Sequence, residues 1–498
     1  MNTARLPAVE AQALSTLNLR PVAATLGILL AILGGSMLLP AFVDFATRSG
    51  GHQSFIGAAA VTIFVGVLLW MSGRERHVQK LDLRQAFLLT SSVWLVLTVF
   101  AALPLMWGSS QLSFTKAVFE AMSGLTTTGA SVMSGLDAQA PGILLWRALL
   151  HWFGGVGIIA IAIAVLPVLS IGGMQLFRME SSDKSDKFLP RAGAVAKGLL
   201  TAYLLLTLLC AIAYAIAGLG LFDAVTLAMS TLSTGGFANS DYSLSVFKNP
   251  AVDYVAIVFM IAGALPFPLY VRALSGDTRR FITHSEVRVF LGLIVFFTAL
   301  SFTQQVVQGI ASGETALRGA LFTVVSLMTT TGLMAVDYTN WGALSNAIFF
   351  VVMFLGGCTG STSGGLKAMR IAITGKAIRQ HLKRVSFRNG VFPVRYGGAP
   401  VADDVVSSVL GFVFLYIFTF LVAGVGLNLM GLDIVTAFSA AIACLANVGP
   451  GLGPVVGPSG NFASLPDPAI WLLTFTMMLG RLEILTVLVL VLPRFWNR

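Results

Sequence analysis

Four short stretches decide how this chain is read. They are Thr126-Thr127-Thr128-Gly129-Ala130-Ser131, Ser233-Thr234-Gly235-Gly236-Phe237, Thr329-Thr330-Thr331-Gly332-Leu333 and Asn447-Val448-Gly449-Pro450-Gly451. Each closes a moderately apolar run of about a dozen residues, too short to cross a bilayer. Aligning Ala121-Met122-Ser123 with Ala228-Met229-Ser230 fixes the register of the first two, so that Gly236, not Gly235, matches Gly129. The shared glycines are then Gly129, Gly236, Gly332 and Gly449, separated by 107, 96 and 117 residues. A marked position recurs in the apolar span after each motif: Gly154-Gly155, Ala262-Gly263, Gly356-Gly357 and Gly480-Arg481.

The surroundings are those of an integral membrane protein. Of 498 residues, 56% are hydrophobic and 10% charged, and the mean hydropathy is +0.86. A soluble domain carries about 25% charged residues, so this chain cannot cover a water-facing surface. Cys210, Cys358 and Cys444 lie far apart in apolar stretches, which suggests free thiols rather than a disulfide or zinc framework. Ten stretches are apolar enough to cross: 21–45, 53–72, 85–107, 143–170, 198–220, 251–274, 287–311, 341–359, 405–430 and 468–492. The first is too long for a signal peptide and is read as a retained helix.

Ten crossings place both ends on one side. With the N-terminus inside, the internal segments hold 25 of the 31 Lys and Arg, while acidic residues split evenly. The bias is the positive-inside signature and predicts N-in, C-in topology. It also removes nucleic-acid binding as a reading of the net charge of +10.

The predicted fold is therefore all-α and polytopic. A two-span preface (1–80) precedes four units of helix, short re-entrant helix, glycine loop and helix, at 81–190, 191–282, 283–395 and 396–498. Non-helical backbone at membrane depth is tolerated only where protein buries it or it lines a wet cavity. Four such loops around one axis can present carbonyl oxygens to a dehydrated ion, and glycine supplies the positive φ this requires. Asp223, Glu314 and Asp433, with Ser113 or Thr115, stand at the starts of the short helices. Their negative C-terminal ends then face the centre. No basic residue occurs in the motifs, so the pathway suits a cation.

Two further features belong below the loops. The run Gly356-Gly357-Cys358-Thr359-Gly360-Ser361-Thr362-Ser363-Gly364-Gly365-Leu366-Lys367 is a poor continuous helix and predicts a flexible intramembrane gate. Arg481 is a charge inside the last span, where charges are functional by default. Glu483 is two residues away and faces elsewhere, so carbonyls of the 356–365 segment are the expected partners of Arg481. His151 and Trp152 are read as packing residues. A membrane serine hydrolase built on Ser361 or Ser363 lacks a histidine at the right depth. A solute transporter with inverted repeats is a poorer fit than units that all start on one side.

These motifs, with Trp152-Phe153-Gly154-Gly155-Val156-Gly157-Ile158 and Gly172-Gly173-Met174-Gln175-Leu176, resemble the Trk/Ktr/HKT superfamily of potassium transporters, the bacterial TrkH type in particular. The resemblance covers essentially the whole chain. It implies a potassium-selective permeation protein of the bacterial inner membrane rather than an enzyme. Such a protein works as a homodimer with a cytosolic, TrkA-like nucleotide-binding subunit, and has no organic cofactor. A weakly selective or sodium-coupled monovalent cation transporter is the alternative, and coupled symport stays open beside channel-like flux.

By the same resemblance, Thr127, Thr128, Thr234, Gly235, Thr330, Thr331, Asn447 and Val448 supply oxygens around potassium, with the four glycines completing the filter. Gly356, Gly357, Gly360, Ser361, Gly364, Gly365 and Arg481 form the gate. The segment 367–395, with eight basic residues and no acid, is the expected docking surface for the cytosolic subunit. There are three departures from the family pattern: Leu333 in place of an aromatic, Asn447-Val448 where the others have hydroxyl or glycine, and Pro266 and Pro268 below Ala262-Gly263, where polar residues are expected.

Overall fold

The computed structural model describes residues 18–74, 82–164, 192–274, 276–387 and 389–496. The Gly172–Leu176 stretch, most of the basic segment 178–197 and both chain ends lie outside them. The described residues are predominantly helical, with one two-strand hairpin pairing Arg395–Tyr396 with Ala399–Pro400.

The preface consists of α1 (Arg20–Ser36), running on at Met37 into α2 (Leu38–Ala46), and α3 (His52–Gly73). Small residues let α1 and α3 touch backbone to backbone. A Cβ on Gly27 would overlap the main chain of Gly66 and Trp70, and one on Gly73 that of Arg20 and Ala24. This is the small-residue logic of helix association in lipid, where close approach replaces a hydrophobic drive.

The first unit contains α4 (Leu83–Ala101), the five-residue α5 (Leu103–Trp107), the short α6 (Phe114–Leu125) and α7 (Pro141–Ala164). The second has α8 (Ala192–Ile216), short α9 (Leu221–Leu232), α10 (Pro250–Ala264) and α11 (Phe267–Leu274). In the third come α12 (Ser285–Val307), short α13 (Gly313–Met328), α14 (Ala343–Phe354) and α15 (Ala368–Ser386). The fourth has α16 (Asp403–Leu429), short α17 (Ile434–Leu445), α18 (Asp467–Arg481) and α19 (Ile484–Val491). Seven helices are long and apolar enough to cross a membrane, and two bent pairs raise this to nine among the described residues. The expected span 341–359 is instead the twelve-residue α14, because the chain leaves the helix before Gly356.

The units close on one another. The short helix α9 packs against α7 of the unit before it, α13 against α10, and α17 against α14. The short helix α6 packs against α18, returning the fourth unit to the first. Two of the four short helices, α6 and α17, carry a side-chain cap at their start. The Ser113 hydroxyl accepts from Lys116 N–H at 3.4 Å and the Asp433 carboxylate from Thr436 N–H at 3.0 Å. Asp223 and Glu314 sit in first turns, where negative charge meets the positive helix end.

The returning helix of the first unit, α7, runs unbroken past Gly154-Gly155. Those of the other three units break. Between α10 and α11 the axis turns by 95° at Pro266, which has no N–H to give and crowds the preceding turn. The carbonyls this frees are all taken: Ala262 by the Tyr270 hydroxyl at 2.8 Å, Gly263 by Thr362 N–H at 3.2 Å and Ala264 by Cys358 N–H at 2.9 Å. The two prolines thus do what polar residues were expected to do, by exposing backbone. Between α18 and α19 the bend is 109°, at Glu483 with φ +63°. In the third unit the break is the segment from Leu355 to Lys367.

Candidate functional site

Each short helix ends in the same backbone device. One main-chain N–H in each loop reaches back five residues: Thr128 to Ser123, Gly235 to Ser230 and Thr331 to Ser326, all at 2.9 Å, and Val448 to Ala443 at 2.8 Å. The preceding residue is left-handed in every copy, with φ of 52° at Thr127, 53° at Thr234, 58° at Thr330 and 57° at Asn447. Three of these are β-branched, for which such a φ is a true outlier. Strain of this kind clusters at functional sites. Two residues later φ is positive again, at Gly129 (83°), Gly236 (87°), Gly332 (73°) and Gly449 (101°). Gly236 and not Gly235 occupies the shared position, as the aligned Ala-Met-Ser segments indicate.

The four glycines form a ring. A Cβ on Gly129 would overlap the carbonyl oxygen of Gly235, and one on Gly236 that of Thr331. On Gly332 it would meet Val448, and on Gly449 it would meet Thr128 at 2.6 Å. Each loop thus lies against the next, and the fourth returns to the first. Thr127, Thr128, Thr234, Thr330, Thr331, Asn447 and Val448 are all fully buried around it. The C-terminal ends of α6, α9, α13 and α17 run directly into these loops, so four partial negative charges converge there.

The glycine-rich segment of the third unit is hydrogen-bonded to two of the loops and lies against a third at Asn447. Gly364 N–H donates to the Thr330 hydroxyl at 2.7 Å, and the Ser363 and Thr330 hydroxyls meet at 3.2 Å. The Thr234 hydroxyl donates to that of Thr362 at 3.2 Å, and Thr362 Oγ1 donates to the carbonyls of Leu232 (3.1 Å) and Gly263 (2.9 Å). Gly360 and Gly365 have positive φ, and Leu355 pairs with Leu366 to close the segment at its base. Cβ atoms on Gly356, Gly357 and Gly364 would each overlap neighbouring backbone or side chain. Gly360, Ser361, Gly364, Gly365 and Arg481 line one cavity.

Arg481 bonds where the sequence leads one to expect. Its Nη1 donates to Thr362 O at 2.8 Å and its Nη2 to Gly154 O at 3.4 Å, tying the glycine-rich segment to the first unit. It does not pair with Glu483. That carboxylate instead binds Arg370 of α15 at 2.6 Å, an ion pair between residues 113 apart in the chain.

Two further groups were not identified from sequence, and a third was read as packing without its partner. Glu120 and Arg147 form a fully buried ion pair at 2.9 Å. His151 stacks on the Phe237 ring, centroids 4.0 Å apart, and its Nδ1 meets the Ser230 hydroxyl at 3.0 Å. A Cβ on Gly235 would collide with the His151 ring. The packing role given to this histidine holds, but what it packs against is the ring of loops itself. Only a rule linking residues on different helices could have flagged these contacts, and local spacing supplies none.

A closed ring of strained loops, fed by four helix C-termini and embedded among membrane-spanning helices, defines a transport protein for cations. The chain belongs to the TrkH family of cation transport proteins, which matches over residues 51–497. It is 42% identical over 479 residues to the Trk system potassium uptake protein TrkI of Halomonas elongata, covering 96% of this chain and 97% of that one. With the Trk system potassium uptake protein TrkH of Salmonella typhimurium it shares 36% identity, over 97% and 100% of the two chains. The crystal structure of the potassium transporter TrkH from Vibrio parahaemolyticus superposes with a TM-score of 0.89 at 35% identity, covering 96% of this chain and all of that one.

Proposed function

We propose that this chain takes up potassium across the bacterial inner membrane, through a filter formed by Thr127–Gly129, Thr234–Gly236, Thr330–Gly332 and Asn447–Gly449. The observation that carries the reading is the closed ring of positive-φ glycines, each against a carbonyl-bearing neighbour. Carbonyls held this way replace a hydration shell without bringing a counter-charge that would trap the ion. The relatives named as potassium uptake proteins support potassium as the cargo. The preface at 1–80 and the four units beginning at 81, 191, 283 and 396 belong to the same reading, as do ten crossings with both ends cytoplasmic.

The gate is the segment containing Gly356, Gly357, Gly360, Ser361, Gly364 and Gly365, held by Arg481. A guanidinium in a cation pathway is an electrostatic barrier, and its bond to Thr362 O makes opening a matter of moving both together. The relatives belong to a Trk system, a name that supports further components. On this reading the chain is a homodimer whose basic surface on α15 and the residues after it receives a cytosolic nucleotide-binding subunit.

The test is rubidium-86 uptake into potassium-loaded liposomes carrying the purified protein, competed in turn by potassium and by sodium. Block by potassium and barely by sodium is the expected result. Equal block by both would make the chain a weakly selective cation conductor. Absence of uptake in both the wild type and Arg481→Ala would overturn the reading.

A further inference from the structure

The buried pair Glu120–Arg147 occupies a position that packing alone does not account for. Glu120 is fully buried on α6 and Arg147 2% exposed on α7. The hydrogen bonds they make outside the pair all lead to residues that follow a ring glycine. Glu120 accepts from the Ser131 hydroxyl at 2.9 Å and from Val132 N–H at 2.8 Å. Arg147 donates through Nε to Glu120 at 2.9 Å, through Nη2 to Ser131 Oγ at 3.3 Å and through Nη1 to Ala238 O at 2.9 Å. Its guanidinium also lies 4.0 Å from the centre of the Phe237 ring.

Ser131 stands two residues beyond Gly129, and Ala238 two residues beyond Gly236. One guanidinium therefore joins equivalent points of two neighbouring loops. The device is confined to this quarter of the ring. In the register set by the five-residue backbone bonds, the counterparts of Glu120 are Leu227, Thr323 and Ala440, none of which is charged. The loop segments beyond Gly332 and Gly449 are held by neutral bonds instead, Leu244 N–H to Met334 O at 3.0 Å and Gly451 N–H to Val456 O at 2.6 Å. Burying two charges is costly, and well-packed apolar residues often serve stability as well or better. What apolar residues cannot do is fix a separation between two backbones through a rigid planar fork.

We propose that Glu120 and Arg147 are positioning residues that set the spacing of the first and second loops and so help to determine which monovalent cation the ring accepts. This rests on the reading of the ring as a selectivity filter. Neither side chain touches the ion: the pair acts through Ser131, Val132 and Ala238.

The experiment compares wild type, Arg147→Gln, Glu120→Gln and Ser131→Ala in the rubidium-86 liposome assay at equal amounts of folded protein. The readout is the ratio of the sodium to the potassium concentration that halves uptake. A purely structural role would lower the amount of folded protein and leave this ratio alone. The charge variants are expected to lower the ratio about fivefold or more, the lower end of typical coupling between sites. Ser131→Ala, which keeps both charges paired, should shift it less and in the same direction. Should neither charge variant fold, Ser131→Ala decides. A wild-type ratio in Ser131→Ala and in every charge variant that folds overturns the inference. A wild type that takes up rubidium without preferring potassium would instead remove the filter reading, and the inference with it.

Discussion

The second and third loops of the ring share one backbone conformation with the fourth and first, yet the two pairs are fastened differently. The hydroxyls of Thr234 and Thr330 both reach the glycine-rich segment, through Thr362 in one case, where Ser233 O shares the proton, and through Ser363 and Gly364 in the other. The equivalent groups Thr127 Oγ1 and Asn447 Oδ1 are buried and have no protein partner among the described residues. Asn447 turns its amide N–H instead to the Thr128 hydroxyl at 2.9 Å and to Met477 O at 3.0 Å. One half of the ring is thus latched to the part proposed to move, while the other half braces itself.

The comparison can be broken most decisively at the glycines, which both halves need alike. Alanine at Gly129, Gly236, Gly332 or Gly449 would meet a neighbouring carbonyl and a disfavoured φ together. Each change should abolish rubidium uptake or its preference for potassium. Normal discrimination in all four would sink the filter assignment. A smaller but opposite effect is expected from Arg481→Ala, which removes the bond to Thr362 O and should raise flux through correctly folded protein. Unchanged or lower flux would count against the gate.

The difference between the halves is sharpened by Thr330→Val set beside Thr127→Val. The first removes two hydrogen bonds between ring and segment, each worth about 0.5–1.5 kcal/mol net. Together they are worth about 1–3 kcal/mol, so the change should favour opening by roughly five- to 150-fold, seen as faster uptake at saturating rubidium. Thr127→Val breaks no such bond and should leave that rate alone while raising the rubidium concentration needed for half-maximal uptake. Equal effects from the two would erase the distinction.

The smallest effect is predicted at the start of α17. Asp433→Ala removes a helix cap worth about 1 kcal/mol and should lower thermal stability with selectivity intact. Hydrogen bonds from Thr436 hold the Asp433 carboxyl below its ordinary pKa of 3.8. Its contribution is accordingly complete at neutral pH and is lost as pH falls through that depressed value. Thermal midpoints of wild type and variant should converge in acid, and a constant gap would refute the capping role.

What could be read in advance follows from which constraints are local. The ring glycines were legible because a positive φ leaves a mark in a single residue, repeated four times. Apolar length marked most of the membrane-spanning helices in the same way. Arg481 stood out because charge inside a span is rare, and Glu483 could be set aside as its partner by helical geometry alone. The true partner of Glu483 could not be found so, since Arg370 lies 113 residues away on another unit. Glu120 and Arg147 escaped notice for a related reason: each falls in a stretch assigned to the external side, where a charge looks unexceptional. The left-handed threonines were hidden too, because β-branched residues ordinarily avoid that conformation and only the surrounding fold imposes it.

The order in which the glycines and carbonyls touch also explains why four related quarters can look so unlike. The residue before each ring glycine is Thr128, Gly235, Thr331 or Val448, a hydroxyl twice, a hydrogen once and an isopropyl group once. In all four quarters it is the main-chain oxygen of that residue that lies against the neighbouring glycine. The side chain here differs between quarters because the working surface belongs to the peptide group, which every amino acid carries, while each quarter's own neighbours, such as His151 beside Gly235, settle what fits. The glycine beside it has no such latitude, since any substituent there would intrude on the adjoining quarter.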